Sequence, residues 1–160
     1  MSVIMLFTKI KADKKLVFDL SRSIELHKIA TQKTNEKAIA GKTQGLIGLG
    51  ETVTWRAKHL GVYQNFTSKV IGCKESEYFA DTMVKGAFKN FTHEHYFSNI
   101  YNCTTLVDVL EFSSPFGILG KLVDFIFLKK YLTMFLKERN QVIKEYAESD
   151  KWKEILITDR

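Results

Sequence analysis

Two histidines stand one residue apart in the run Phe-Thr-His-Glu-His-Tyr-Phe, residues 91–97. The run has the composition of a β-strand, and side chains two apart on a strand share a face. Phe91, His93, His95 and Phe97 therefore point one way, and Thr92, Glu94 and Tyr96 the other. Imidazoles set among phenylalanines can ligate a metal, move a proton, or anchor the polar end of an apolar molecule. Two histidines at this spacing, with a third from a neighbouring strand, would make a three-histidine site with an open position. The HExxH zinc motif fails, because its second histidine would have to stand where Phe97 does. No metal and no cofactor is expected.

Other chemistry-bearing residues fall on faces that are otherwise apolar. Val53, Trp55, Ala57 and His59 form one face of 51–59, and Leu106, Asp108, Leu110 and Phe112 one face of 103–112. Asp108 is assigned inward because its face is the more apolar; a bulge or a one-residue slip would reverse that. A carboxylate buried alone is costly, so Asp108 needs a histidine or another donor beside it. His59, His95 and Asp108 are the catalytic candidates: a histidine would remove a proton while Asp108 held that ring in the right tautomer. The same residues serve equally as polar anchors for a ligand, or as an internal network that fixes the sheet register. Cys73 and Cys103 are thirty residues apart without CxxC spacing, and nothing sets a histidine beside either, so both are expected to be structural, reduced thiols.

The elements that must position these groups are legible from periodicity and punctuation. Residues 2–12 read as a strand. Asp13 caps a short helix at 14–20, and Ser21 or Ser23 caps a second at 24–30. A polar connection follows at 31–37. The glycines at 41, 45, 48 and 50 read as turns. The Gly-Lys-Thr at 41–43 ends like a phosphate loop, but the motif requires glycine at position 36, which is Glu36. Five strands with short turns then occupy 51–59, 62–73, 77–84, 87–97 and 103–112. Ser113 or Ser114 caps, Pro115 sits in the first turn, and a helix of about thirty residues runs on. Phe125, Leu128, Leu132, Phe135, Val142 and Tyr146 form its apolar stripe. One curved antiparallel sheet of about six to seven strands against one long helix is an α+β architecture. A single domain is expected over residues 1–160, with its core at about 2–147 and a charged tail at 148–160.

Composition narrows the partners. The net charge is +6 and the pI about 9.2. The lysines and arginines are nevertheless dispersed among acids, without the basic stripe and interleaved aromatics that nucleic acids require, so no nucleic-acid partner is expected. The most apolar window, 116–128, is too short to span a bilayer and carries Lys121 and Asp124, so no transmembrane segment is expected. The first residues lack a basic leader, which points to the cytoplasm.

Four blocks in order, "SRSIELHKIAT" (21–31), "GLIGLGETVTWRAKHLG" (45–61), "FADTMVKGAFKNFTHEHYF" (79–97) and "TTLVDVLEFSSPFGILG" (104–120), resemble the SRPBCC superfamily. That superfamily includes the START-like, polyketide cyclase/dehydrase and lipid-transport proteins, and the resemblance is strongest to its small stand-alone bacterial members. It implies the helix-grip fold, in which the sheet wraps the long helix and leaves a cavity between them. Superfamily members bind sterols, lipids, hormones or polyketides, and some catalyse cyclisation and dehydration. The expected function is accordingly binding of a small hydrophobic or amphipathic molecule inside the cell, with a cyclase or dehydratase as the alternative; a homodimer is compatible with either. Trp55, His59, Phe91, His93, His95, Phe97 and Asp108 are the expected ligand-binding residues. Leu119, Leu122, Val123 and Ile126 should join them, because the first half of the helix is expected to border the cavity entrance. Phe135, Val142 and Tyr146 are expected to pack as ordinary core.

Overall fold

The computed structural model describes residues 1–157, apart from the side chains at 120, 121, 124 and 125. Strand β1 (Ser2–Ile10) leads into two short helices, α1 (Lys14–Arg22) and α2 (Ile24–Ala30). Asp13 caps α1 by accepting the Lys15 N–H at 2.9 Å. Of the two serines, Ser23 caps α2, its hydroxyl accepting the Leu26 N–H at 3.2 Å. Both caps satisfy N–H groups that the first helical turn leaves without a partner. Strands β2 (Lys37–Gly41), β3 (Thr52–His59), β4 (Val62–Lys74), β5 (Tyr78–Lys85), β6 (Asn90–Ile100) and β7 (Cys103–Ser113) complete one antiparallel sheet, in the order β1-β7-β6-β5-β4-β3-β2.

β2 lies in the segment expected to hold only turns. It is five residues long and bulged between Ala38 and Ala40, too short and irregular for an alternating pattern to show. At its end Gly41 has φ +72°, and a Cβ there would lie 2.2 Å from the Thr52 carbonyl oxygen, so glycine is required for the close approach.

The helical segment after β7 comprises α3 (Gly117–Val123), a π-helical stretch (Asp124–Leu128) and α4 (Lys129–Ala147). Phe125, expected on the apolar stripe, is one of the residues whose side chains are not described. The sheet reaches α4 from both sides. On β1, Thr8 accepts from the Asn140 side chain, and on β3, His59 hydrogen-bonds Tyr131. In a flat sheet those strands would lie about 24 Å apart at ordinary strand spacing, twice the diameter of a helix. The sheet must therefore curve around α4, and two bulges along the β4–β5 pair, one in each strand, help it bend. This is the expected α+β helix-grip fold.

The core divides into layers along α4. Leu132 and Leu136 pack with Ile4, Leu110 and Phe112. Further along, Ile143 and Ala147 join Phe18, Phe79, Phe97 and Leu106. The charged segment after α4 includes a last short helix, α5 (Trp152–Leu156), whose Ile155 is buried in that second cluster with Trp152 packed against it. No helix among the described residues is long and apolar enough to cross a membrane.

Candidate ligand cavity and its two polar centres

A cavity of about 190 Å³ lies between the concave face of the sheet and α4. Its walls are mostly apolar, with Val53, Trp55 and Ala57 from β3, Val70 from β4 and Phe91 from β6 among them. Into this surface project all four histidines of the chain: His27, His59, His93 and His95. They form two separate histidine–carboxylate centres, on strands three spacings apart, or about 14 Å along the sheet.

The first centre is built by strand register. His95 on β6 stands opposite Asp108 on β7 and Phe79 on β5, while His93 stands opposite Asp81 on β5. His93 reaches diagonally to Asp108, with Nε2 2.9 Å from Oδ1. His95 Nδ1 is also 2.9 Å from that oxygen, but off the angle of a hydrogen bond. The His95 ring stacks on Phe79 with centroids 4.0 Å apart and lies 3.9 Å from the His93 ring. Asp108 is fully buried. Its other oxygen accepts from Asn140 Nδ2 at 2.5 Å, and Arg139, 3.7 Å away, donates to the Asn140 side chain and the Ser21 carbonyl. Burial opposes ionisation of Asp108, yet contact with His93 and His95 holds its carboxyl well below the usual range. Burial and the neighbouring His95 push His93 down to about 4, so its ring is neutral at pH 7. With Asp108 ionised, His93 Nε2 must carry the hydrogen they share. Asp81 completes the group on the cavity side, its Oδ2 3.6 Å from His95 Nε2. Burial opposes its ionisation too, but His95 and the neighbouring His93 hold its carboxyl below the ordinary value.

The second centre joins loop, helix and strand. Glu36, just before β2, accepts from His27 of α2 at 2.7 Å and lies 3.6 Å from His59 Nε2. Burial would raise the Glu36 carboxyl, but the two imidazoles bring it down to about 2. His59 Nδ1 pairs with the Tyr131 hydroxyl of α4 at 2.7 Å, and His27 lies over Trp55 with centroids 4.3 Å apart.

Trp55, His59, Phe91, His93 and His95 thus lie where alternation set them, on the cavity wall. Asp108 points inward but stands behind the histidines. Phe97 is buried away from the cavity, edge-on to Phe18 with centroids 5.4 Å apart, because α1 covers that end of β6. Leu119, Leu122, Val123 and Ile126 are not among the cavity's lining residues; they are 48–86% exposed along with Ile118. The face of the helix turned to the cavity starts later, with Leu132, Phe135, Leu136 and Arg139. Phe135, expected as ordinary core, is half-buried on that wall against His59, whereas Val142 and Tyr146 do pack on the core. His27, Glu36, Asp81, Tyr131, Arg139 and Asn140 were not anticipated. A signal existed for the last two: buried Leu132, Leu136, Ile143 and Ala147 are spaced so that 139 and 140 must share their face. For Glu36 no local signal exists, since its partners are brought to it only by the fold.

No protein-family model and no curated protein sequence matches the chain. Its likeness is to solved structures. It is similar to a START superfamily protein from Mycobacterium smegmatis, with 13% identity and a TM-score of 0.70, over 91% of this chain and 97% of that one. Protein CV1439 from Chromobacterium violaceum is similar with 13% identity and a TM-score of 0.71, over 93% and 99% of the two chains. Ginseng major latex-like protein 151 from Panax ginseng is similar with 13% identity and a TM-score of 0.67, over 92% and 98%. At such identities the likeness concerns the fold and not the site. The chain has the START-like, helix-grip fold of the SRPBCC proteins.

Proposed function

We propose that the protein binds a small amphipathic molecule in the cavity between the sheet and α4. The observation that carries this is one apolar chamber into which two separate polar centres project, the composition expected of a small-molecule site. An apolar cavity of about 150 Å³ already accepts benzene. At about 190 Å³ this one suits a compact molecule built around one or two rings, with polar groups toward His93/His95 and toward His27/His59. Arg139 and the histidines favour an oxygen-rich or anionic group at one end.

Filling the chamber tests this. Ala57 is buried on the cavity wall, so Ala57→Phe should occupy the space while removing no polar group from either centre. Dansylamide, a two-ring fluorophore with one polar sulfonamide group, should fluoresce with the wild type and lose at least about tenfold in affinity for the variant, a difference of about 1.4 kcal/mol. Equal binding by a folded variant would place the probe on the exposed apolar surface and sink the proposal. Native mass spectrometry of freshly purified protein would then weigh what it carries.

Acid–base catalysis on a cavity-bound molecule is a second function favoured by one observation: His93 reaches the cavity while Asp108, behind it, holds its Nε2. A proton-exchange assay on candidate cyclic ketones would separate turnover from carriage; exchange unaffected by His93→Gln would exclude this role for the pair.

A further inference from the structure

We propose that Asp81, His93 and His95 form a binding site for a divalent transition metal of the zinc class. One ligand atom from each of the three lies within 4.8 Å of the others. Bonds of about 2.0–2.2 Å at a tetrahedral centre put neighbouring donors about 3.3–3.6 Å apart. Asp81 Oδ2 and His95 Nε2, 3.6 Å apart, are already at the separation that an ion between them requires.

The surroundings are those of a supported site. Metal-binding histidines commonly give their second ring nitrogen to a carboxylate that fixes tautomer and orientation. Asp108 stands in that place for His93, hydrogen-bonded to its Nε2 at 2.9 Å, and lies 2.9 Å from His95 Nδ1 at an angle that a small rotation of the ring would correct. Asn140 from α4 anchors Asp108 in turn. On His93 this leaves Nδ1 as the ligand; on His95 it leaves Nε2, the nitrogen beside Asp81. The three side chains stand on adjacent strands β5 and β6 in fixed register, which holds a donor set more closely than a loop would.

The donor set selects the metal. Two imidazoles and one carboxylate suit zinc, cobalt, iron or nickel, whereas calcium and magnesium require oxygen ligands. Two carboxylates in the cluster offset the charge of a dication. Arg139 opposes it, but is turned to Asn140 and Ser21. All three ligands face the cavity, so a remaining coordination position would open on the chamber. This assignment goes beyond ligand carriage and does not depend on it, since the metal is measured with the cavity otherwise empty.

The test is titration of chelator-treated protein with cobalt chloride. One cobalt per chain should bind at micromolar concentrations and give the intense visible bands of a four- or five-coordinate centre, which zinc bleaches. Asp81→Asn keeps the shape of a partly exposed side chain and should weaken affinity at least tenfold with an unchanged circular dichroism spectrum. The double variant His27→Gln/His59→Gln should retain the bands. A readout on the wild type needs no variant: of four histidine ring signals, zinc should move two and leave two. No stoichiometric uptake, the pale spectrum of an octahedral oxygen-ligated ion, an unweakened Asp81→Asn protein, or loss of the bands in the double variant would each overturn the assignment.

Discussion

At the scale of single residues, the two carboxylates differ in how their charge is balanced. Asp108 is held by two histidines and an amide from α4. Glu36 has His27 hydrogen-bonded at 2.7 Å, His59 3.6 Å away, and the Thr34 hydroxyl donating more weakly at 3.5 Å. Burial tends to keep its proton on, but the imidazoles win, and the folded pKa falls from 4.5 to about 2. The folded pKa is below the unfolded one, so this group's stabilisation is fully present above pH 4.5 and is lost as pH falls toward 2. A shift of that size corresponds to about 3 kcal/mol. Glu36→Gln should therefore be less stable than the wild type at pH 7, and the gap should shrink to less than about 1 kcal/mol by pH 2.5. Urea unfolding at both pH values measures it; a gap that stays constant would mean that Glu36 contributes through shape and not charge.

At the scale of elements, α4 works on two faces of different character. Leu136 is buried between β1 and β7, so Leu136→Ala should leave a cavity and cost about 2–5 kcal/mol. Phe135 sits one residue away but on the cavity wall, where truncation enlarges space already present. Phe135→Ala should cost about half as much as an ordinary core phenylalanine, for which about 3–5 kcal/mol is usual, and should admit a bulkier probe. Leu122→Trp, on the exposed surface of α3, should leave probe uptake unchanged. Denaturant midpoints and probe titrations of the three variants decide this. Equal losses at 135 and 136, or blocked uptake in Leu122→Trp, would show that the helix turns a different face to the cavity.

For the whole molecule, the charged segment after α4 is part of the structure that is stabilised. Ile155 is buried against the Phe18–Ile143 cluster and Trp152 packs beside it. Full burial of one such aliphatic side chain is worth about 1.5–3 kcal/mol. Ending the chain after Ser149 should lower the unfolding free energy by about 3 kcal/mol while leaving the cavity residues in place. Thermal unfolding with and without the segment checks this; an unchanged midpoint would make α5 ornamental.

The strand faces were legible because alternation with period two is a local property of the chain. Val53, Trp55, Ala57 and His59, and then Phe91, His93 and His95, could be set on the inner face without knowledge of their neighbours. The buried place of Asp108 was legible for the same reason, and the need for a partner followed from the cost of burying its charge. What required the tertiary structure was everything that joins elements distant in sequence. Asn140 meets Asp108 only because the sheet curves round α4, and Glu36 meets both His27 and His59 only because β2 returns to β3. The phase of the helix was undetermined as well. Its first half is apolar nearly all round, so periodicity there does not choose a face, and the structure leaves Leu119, Leu122, Val123 and Ile126 exposed. Local pattern decides which way a side chain points from its own element; only packing decides what it meets there.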